Sequence, residues 1–440
     1  MQMTFSDFIL QHEGDDPVRL LLSRDRFPDV DMDLAATTLE VRSRLRTKVP
    51  EWYAVPSLVY PYRLSGEQCS SSETARYKAM VCGSSLVPEP SLCDPSHKWA
   101  PPSYVAEGGH RFGDQTAPAN DRLRIADLTG GMGVDAWAFA QVATEVLYNE
   151  MKVELANATE LNFRELGVKN VRFRNERVEP GKVREVLDGF EPDVIFLDPA
   201  RRAEDGRKVF LIEDCQPDVL TLLPELFAAS RFVLLKLSPM ADITMACKRL
   251  SPVREVHVVA AGGECKELLF LLDREWSDTP VTFIVEGGAV MEILGQAGND
   301  VAFGLPIPGQ FLFEPGKALL KAGAFDLPCD RFGLTKVGQH THLYVGGEVP
   351  EQLRPFGKVF EVLEVLPLNN RTMKEAGKRW PKAEVTARNV PMTSEVLRKK
   401  TGCASGGDIH LFGVRADAAT EAGNYLIITK KYPSSKTDRP

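Results

Sequence analysis

The sequence predicts an α/β protein whose central sheet is mostly parallel and carries an antiparallel hairpin at one end. From residue 123 to about residue 273, strand-like runs alternate with helix-like patterns. Such alternation implies right-handed βαβ crossovers, with helices on both faces of the sheet. The last two strand-like runs are separated only by "GGECK", which favours a hairpin.

Residues 1–122 are predicted to form a helical region that ends in a long loop. "RLLLSRDRF" and "AATTLEVRSRLR" place apolar residues at helical spacing. In "QCSSSETARYKAMV", Ser70 followed by Glu73 is a capping-box pattern, so a helix should begin there. Residues 83–122 are rich in Pro, Gly, Ser and Asp, which indicates a loop or an insertion.

The predicted sheet occupies residues 123–279. Its strand-like runs are short and apolar, and they read "LRIAD", "EVLYNE", "NVRFRN", "DVIFLD", "RFVLLKL", "EVHVVAA" and "ELLFLLD". "VELANATELNFREL", between the second and third runs, has a helical pattern. Two smaller units should follow, a Gly- and Pro-rich segment at 280–355 and an α+β unit at 356–435.

Composition limits the class of protein. A length of 440 residues indicates more than one domain, and the 43% hydrophobic and 26% charged content is typical of soluble proteins. The chain has no signal-peptide pattern and no apolar run near the roughly 18 residues of a membrane span, so we expect a cytoplasmic protein without a membrane partner.

Cys93 and His97, with Cys69 and Cys82 upstream, could form a metal site. Because the eight cysteines include no CxxC pair, reduced thiols without a metal are the favoured interpretation.

Charge is unevenly distributed along the chain. The whole chain has a net charge of −8, but residues 351–440 contain 16 Lys and Arg against 10 Asp and Glu. This segment is therefore at +6 and the first 350 residues at −14. The asymmetry suggests a basic module on an acidic body, although part of the excess could be a solvated tail.

The stretch "RIADLTGGMGVDAWAFA" at 124–140 is the strongest candidate for a ligand site. In an open parallel sheet, ligands bind at the carboxyl ends of strands. Gly131 and Gly133 would let the backbone approach a ligand and turn into a helix from Val134. Together with Ala136 they also match a dinucleotide-binding pattern, which is weak evidence by itself. A tight turn without any ligand is the alternative.

Asp127 decides between ligands. A carboxylate beside this turn would repel the pyrophosphate of NAD, but it favours the sulfonium and ammonium groups of S-adenosylmethionine. Glu150, after the second strand-like run, can accept hydrogen bonds from both hydroxyls of a ribose. Glu150 does not discriminate, because NAD has a ribose as well.

The motifs resemble those of class I S-adenosylmethionine-dependent methyltransferases, and more narrowly those that carry a C-terminal THUMP-like domain. "DLTGGMGVDA" and the later "FLDPARR" bear the resemblance, although Thr129 stands at the first glycine of the usual D/E-x-G-x-G-x-G motif. A D-x-T-A-G-x-G-x-D-A motif with Thr at this position is found in a ribosomal RNA guanine methyltransferase. "QCSSSETARYKA", "FEPGKALLKAGAF" and "EVTARNVPMTSEVLRKKTG" resemble further parts of the THUMP-like group.

The resemblance implies a Rossmann-like methyltransferase sheet at 123–279, a small connecting domain at 280–355 and a THUMP-like domain at 356–435. A ferredoxin-like fold is one option for the connecting domain. It also implies S-adenosylmethionine as the cofactor. The residues that would hold it are Asp127, Thr129, Gly131, Gly133, Glu150, Met151 and Glu176. Met151 would pack on the adenine face or belong to the core. The family often has an acid that holds the adenine amino group at the position where Arg177 aligns, and Glu176 would take its place here.

The acceptor is expected to lie against Asp198 and Pro199, at the end of the fourth strand-like run. Related amino-methylating enzymes have an aromatic residue two positions after this proline, which this sequence lacks. Asp198 would orient or deprotonate the acceptor. Arg201, Arg202 and Lys236 could contact a phosphate, while the alternatives are pairing of the arginines with nearby acids and a solvated Lys236. Ser238 stands where a cysteine nucleophile would be needed, which disfavours covalent catalysis.

The C-terminal unit has a cluster of basic residues beside one aromatic side chain. Lys374, Lys378 and Arg379 lie next to Trp380, a combination that can follow an RNA backbone and stack on a base. A basic last helical turn ahead of Gly402 is a simpler origin for part of this charge.

The sequence therefore predicts a methyltransferase that transfers the methyl group of S-adenosylmethionine to a base in RNA. Three alternatives remain: a small-molecule methyltransferase, a non-catalytic RNA-binding protein that retains the fold, and an NAD-dependent dehydrogenase. Asp127 disfavours the last of them.

Overall fold

A computed structural model of the chain describes residues 3–84, 123–201, 212–293 and 301–432. It contains two compact units. The first comprises the described residues up to 256 together with 268–280, and the second comprises 257–267 and the described residues from 281 onward. Within the described ranges, no helix is both long and apolar enough to cross a membrane.

The N-terminal region is helical, as predicted. Its α-helices are α1 (Phe5–Gln11), α2 (Pro17–Leu22), α3 (Met32–Lys48), α4 (Pro50–Tyr53), α5 (Arg63–Gln68) and α6 (Ser72–Ser84). Several begin with a side-chain cap, for example Asp31 at the start of α3, whose carboxylate accepts a hydrogen bond from the N–H of Leu34.

The predicted capping box of α6 is wrong by one residue. The pair that exchanges hydrogen bonds is Ser71 and Thr74, in which each backbone N–H donates to the hydroxyl of the other residue at 3.2 Å. Ser70, one position earlier, is buried and directs its hydroxyl to another helix.

The first unit contains the predicted parallel sheet. In chain order the strands are β1 (Arg124–Asp127), β2 (Glu145–Asn149), β3 (Val171–Arg174) and β4 (Val194–Leu197), then β5 (Ala200–Arg201) and β6 (Cys215–Gln216), which form a separate two-stranded sheet, then β7 (Phe232–Leu237), β8 (Val253–Ala261) and β9 (Glu264–Asp273). Residues 257–267, where β8 turns into β9, belong to the second unit in the division above. The helices among them are α7 (Val134–Phe139), α8 (Val153–Glu165), α9 (Val183–Leu187), α10 (Val219–Ala229) and α11 (Ile243–Leu250).

The order β3-β2-β1-β4-β7 is parallel throughout, and β9 pairs with β7 in the antiparallel direction. The predicted α/β fold with an antiparallel end hairpin, β8–β9, is therefore confirmed. Because parallel strands end at the same edge, the residues that follow β1, β2, β4 and β7 lie close together.

The second unit contains a hairpin and a sheet of seven described strands. The hairpin consists of β10 (Val281–Glu286) and β11 (Ala289–Ile293), which follow β8 in the strand order β11-β10-β8-β9-β7. The sheet strands are β12 (Phe311–Pro315), β13 (Thr335–Lys336), β14 (Tyr344–Gly346), β15 (Gly357–Pro367), β16 (Glu384–Arg388), β17 (Ile409–Ala416) and β18 (Gly423–Lys431), in the order β13-β14-β12-β15-β18-β17-β16. The helices are α12 (Lys317–Lys321), α13 (Leu327–Asp330), α14 (Asn370–Arg379) and α15 (Ser394–Thr401).

This second sheet crosses the boundary near residue 355 that the sequence suggests. β12 pairs with β15 over five residue pairs, from Phe311 with Glu361 to Pro315 with Gly357. One buried cluster contains Leu312 and Phe412, and another contains Met373 and Leu397 of the two long helices α14 and α15. The segments 280–355 and 356–435 thus share a hydrogen-bonded sheet.

Candidate active site

A cavity of about 260 Å³ lies at the carboxyl edge of the parallel sheet, within the first unit. Its walls come from the glycine loop after β1, the residues after β2 and β3, the turn after β4, and the α5–α6 connection. Of the residues predicted to hold a cofactor, it brings together Thr129, Gly131, Gly133, Glu150, Met151 and Glu176.

The glycines serve the protein's own packing as well as the cavity. A Cβ on Gly130 would lie 2.2 Å from the Tyr148 ring, and one on Gly133 would lie 2.6 Å from the Thr159 methyl carbon. Gly133 also has a φ of +88°, which L-residues with side chains rarely adopt. Gly131, in contrast, lines the cavity and donates its N–H to the Glu150 carboxylate at 3.0 Å.

Asp127 does not line the cavity, contrary to the expectation that it faces the ligand directly. It is 1% exposed, and its Oδ1 accepts the Thr129 N–H at 3.1 Å. Its other oxygen, Oδ2, is buried without a hydrogen-bond partner among the described residues. Burial, and then the negative charge of Asp135, raise the pKa of Asp127 well above its usual range. Asp127 therefore holds the glycine loop in its conformation, and it can act on a ligand only through its electrostatic field.

Thr129 joins the two motifs of the site. Its hydroxyl oxygen accepts the backbone N–H of Asp198 at 2.6 Å, across 69 positions of sequence. A glycine, the usual residue at this position of the motif, could not accept that bond. The departure from the motif thus has a structural reason, which is to fix the turn after β4 against the glycine loop.

Asp198 and Lys236 form an ion pair at the cavity. The Lys236 ammonium lies 2.5 Å from Asp198 Oδ2, and its side chain is 14% exposed. The pair follows from register, because Leu197 is opposite Leu235 in the parallel β4–β7 ladder. Lys236 therefore pairs with a carboxylate and is not a solvated side chain, while its predicted phosphate contact stays a prediction.

The residues after β2 form the cavity wall beside the glycine loop. Both Glu150 oxygens accept backbone N–H groups, from Gly131 and from Lys152 at 2.9 Å. Met151 is 52% exposed and lines the cavity, so it is not a core residue. Glu176 lines it too, as does Arg177, whose guanidinium pairs with Glu179.

Asn149 is a site residue that the sequence did not reveal. It is buried, and its side-chain amide donates to the carbonyls of Leu128 and Glu176 while its Oδ1 accepts the Glu176 N–H. It thereby ties the ends of three strands together beside the cavity. An asparagine at the last position of a buried strand was the available signal.

The N-terminal region supplies another wall that sequence reasoning missed. Ser65 and Gln68 line the cavity from α5, and Cys69 and Ser70 line it from the α5–α6 connection. Burial raises the pKa of the Cys69 thiol, so this cysteine is not an activated nucleophile. The quoted stretch "QCSSSETARYKA" contains three of the four residues, and its resemblance to the family was the signal.

The structure describes only some of the other residues that were predicted to lie on the acceptor side. Pro199 is buried and does not line the cavity, although its neighbours Asp198 and Ala200 do. Arg201 is described by its backbone in β5 only, and Arg202 lies outside the described residues. Cys93 and His97 also lie outside them, and among the described residues no cluster of metal-binding side chains occurs.

The predicted basic cluster lies on α14 in the second unit. Lys374 and Lys378 are exposed and one helical turn apart. Arg379 pairs with Glu364 at 2.7 Å and its guanidinium lies over the Trp380 ring, 4.3 Å from the centroid. The structure therefore leaves the two lysines as the more available cations of this group.

Comparisons with known proteins agree with this architecture. Residues 311–353 match a ferredoxin-like domain, and residues 357–431 match a THUMP domain-like family. A crystal structure of a "putative methyltransferase" from Porphyromonas gingivalis is 28% identical, with 98% of both chains covered and a TM-score of 0.77. No curated protein matches the chain.

More distant solved structures share only part of the chain. An rRNA methylase from Streptococcus thermophilus is 12% identical over 35% of this chain and 88% of its own, with a TM-score of 0.26. TrmN from Thermus thermophilus is 21% identical over 35% of this chain and 45% of its own, with a TM-score of 0.27. The chain thus has the class I methyltransferase fold followed by a ferredoxin-like domain and a C-terminal THUMP-like domain, as its sequence motifs indicated.

Proposed function

We propose that this chain transfers the methyl group of S-adenosylmethionine to a base in RNA. The observation that supports this most directly is the hydrogen bond from the Asp198 N–H to the Thr129 hydroxyl. It holds the cofactor-side loop and the acceptor-side carboxylate at a common cavity, which is the arrangement that a group transfer between two bound molecules requires.

The residues present fit the cofactor. A carboxylate has about four lone-pair sites, so Glu150 can accept two ribose hydroxyls in addition to its two N–H donors. Met151, half exposed at the wall, would contact the adenine face. Asp127, with an unpartnered buried oxygen, would attract a cation near the glycine loop in its ionised form, which a bound cation in turn favours. When bound, S-adenosylmethionine supplies a methyl group on an already activated leaving group.

The ion pair between Asp198 and Lys236 would determine how the protein orients the acceptor. Lys236 fixes the Asp198 carboxylate, whose remaining lone pairs can accept an N–H of an amino group and align its nitrogen with the cofactor. No aromatic residue follows Pro199 within the turn, so stacking on a flipped base would have to come from elsewhere.

RNA is proposed as the acceptor because of the second unit. The THUMP-like match covers residues 357–431, and residues 351–440 are at +6 while the rest of the chain is acidic. A basic appendage on an acidic body is where a polyanion would bind.

The proposal is tested by binding and by transfer. In calorimetry, the full chain should bind S-adenosylmethionine and S-adenosylhomocysteine but not NAD. With tritium-labelled cofactor, label should enter RNA from cells that lack the protein. Label in a small-molecule extract but not in RNA would identify a small-molecule enzyme, and NAD binding alone would reject the methyltransferase assignment.

Variants separate cofactor binding from chemistry. Asp198→Asn should reduce turnover by roughly a hundredfold or more, typical of a lost acid–base or orienting group, and leave cofactor affinity nearly unchanged. Asp188→Asn, an exposed acid after α9, is the matched control and should retain wild-type turnover. Equal turnover in both variants would show that Asp198 is not an acceptor-side residue.

A further inference from the structure

Three residues that have no role in the proposed reaction meet in the first unit. Ser70 and Lys78 come from "QCSSSETARYKA" before and within α6, and Asp135 comes from the end of "DLTGGMGVDA" in α7. Lys78 Nζ lies 3.1 Å from Asp135 Oδ1 and 2.9 Å from Ser70 Oγ. The Ser70 hydroxyl in turn donates to Asp135 Oδ2 at 2.8 Å. We call these three residues the α6–α7 triad.

The triad is buried but adjoins the cavity. Lys78 is 0% exposed, whereas Ser70 and Asp135 both line the cavity beside Gly131 and Gly133. A buried ion pair is a poor source of stability, since apolar residues of similar volume often do as well or better. The two helices already have another contact, the Arg76 guanidinium over the Trp137 ring at 5.8 Å. Packing alone therefore does not explain a fully buried ammonium here.

The arrangement of charged residues around the cavity also indicates a role for this ion pair in ligand binding. The acids near Asp127 are Asp135, Glu150 and Asp198. Asp198 is paired with Lys236 and Asp135 with Lys78. The pairing with Lys78 thus fixes the place of one carboxylate on the wall that would face the charged end of a cofactor.

We propose that the α6–α7 triad is a positioning unit for the cofactor, through which the N-terminal helical region fixes Ser70 and Asp135 in the cavity wall. This rests on the proposed function, because it assumes an S-adenosylmethionine-type ligand. The triad acts through the wall and not on the acceptor, so its loss should raise the KM for the cofactor more than it lowers kcat.

The test compares a neutral double variant with single variants of the full chain. Asp135→Asn alone leaves the Lys78 charge without its carboxylate, and its Tm should fall sharply. The double variant Lys78→Met with Asp135→Asn buries no charge, so its Tm should return toward the wild-type value. Its affinity for S-adenosylhomocysteine, measured by calorimetry, should stay at least about tenfold weaker than wild type.

Lys336 and Asp326 provide the matched control. They form another Lys–Asp pair, at 2.7 Å with Lys336 buried, in the second unit. Lys336→Met with Asp326→Asn should leave the affinity for S-adenosylhomocysteine unchanged. If the triad double variant regains both its Tm and wild-type affinity, the triad is only structural and the inference is wrong.

Ser70→Ala is the second variant of this test. If the double variant does not regain its Tm, Ser70→Ala replaces it, since this change removes the hydroxyl between the charges without unpairing them. A several-fold loss of affinity at unchanged Tm would support the inference, and wild-type affinity would overturn it. If the wild-type chain itself binds no S-adenosylhomocysteine, the proposed function fails, which is distinguishable from failure of the triad alone.

Discussion

Thr129 accounts at the residue scale for the way two distant motifs act on one cavity. Its hydroxyl accepts the Asp198 N–H, while its own N–H is held by Asp127. The threonine is therefore a bridge between β1 and the turn after β4.

Replacing Thr129 by valine should show how much this hydrogen bond contributes to stability and to turnover. Valine keeps the shape but has no acceptor, so the partly buried Asp198 N–H loses its partner at a cost of about 1–3 kcal/mol. We expect reduced free energy of unfolding in urea and a larger loss of kcat than of cofactor affinity. Thr129→Ser, which keeps the hydroxyl, is the control, and equal kcat in the two variants would contradict this role.

Asp127 should make stability depend on pH with an unusual sign for a carboxylate. Burial, and then the charge of Asp135, raise its pKa in the folded state. The stability linked to the protonated form is complete below the unfolded pKa of about 4 and is lost as pH rises through the higher folded pKa. Asp127→Asn removes this dependence. Wild type should therefore lose stability relative to the variant as pH rises from about 4.

Urea unfolding of both proteins across that pH range measures the difference. Parallel pH profiles would mean that Asp127 is ionised normally in the fold. In that case the carboxylate would already carry the charge that attracts a cation, whereas with a raised pKa the cation must first favour the ionised form.

At the scale of elements, the glycine loop is constrained by α8 beneath it. Gly133 has a φ of +88° and faces Thr159 and Phe163 of that helix, with the Phe163 ring carbon 2.8 Å from a built Cβ. The turn into α7 therefore needs glycine for two separate reasons, backbone conformation and space.

Gly133→Ala should destabilise the fold by more than the backbone strain alone. The left-handed conformation costs a non-glycine residue roughly 1–2 kcal/mol, and the contact with α8 adds about 1–3 kcal/mol of overpacking. Gly167→Ala is the control, because Gly167 has a φ of +71° with open space around it. Similar free energies of unfolding for the two variants would show that α8 yields to the added methyl group.

At the scale of the whole molecule, the separation of charge gives the RNA proposal its clearest test. Lys374→Glu with Lys378→Glu changes the two exposed lysines on α14. Each phosphate contact that is lost should lower the salt slope, d log K/d log [salt], by about 0.7–0.9. RNA affinity should fall, its salt dependence should flatten, and cofactor affinity should remain.

A charge-matched control distinguishes a binding surface from a general field. Arg26→Glu with Lys169→Glu makes the same change in net charge on exposed residues of the first unit. Its salt slope should stay at the wild-type value, and equal slopes for both double variants would place the RNA elsewhere. The full chain is needed, because a fragment from residue 356 would expose the edge of β15 that pairs with β12.

The sequence by itself determined the order of strands and helices in the first unit and the edge at which the site lies. Apolar runs, helical spacing and the "DLTGGMGVDA" motif are local properties, so residues such as Gly131 and Glu150 could be assigned to the cavity wall in advance. Local patterns also located α15 and its Gly402 cap.

Only the tertiary structure decided which side chains meet. Asp198 with Lys236, Asp198 with Thr129, and Ser70 with Asp135 are separated by 38, 69 and 65 positions. Each contact is set by strand register or by helix packing, which local periodicity does not encode. The burial of Asp127 has the same origin, because a strand-end acid can face a cavity or the core depending on what packs around it.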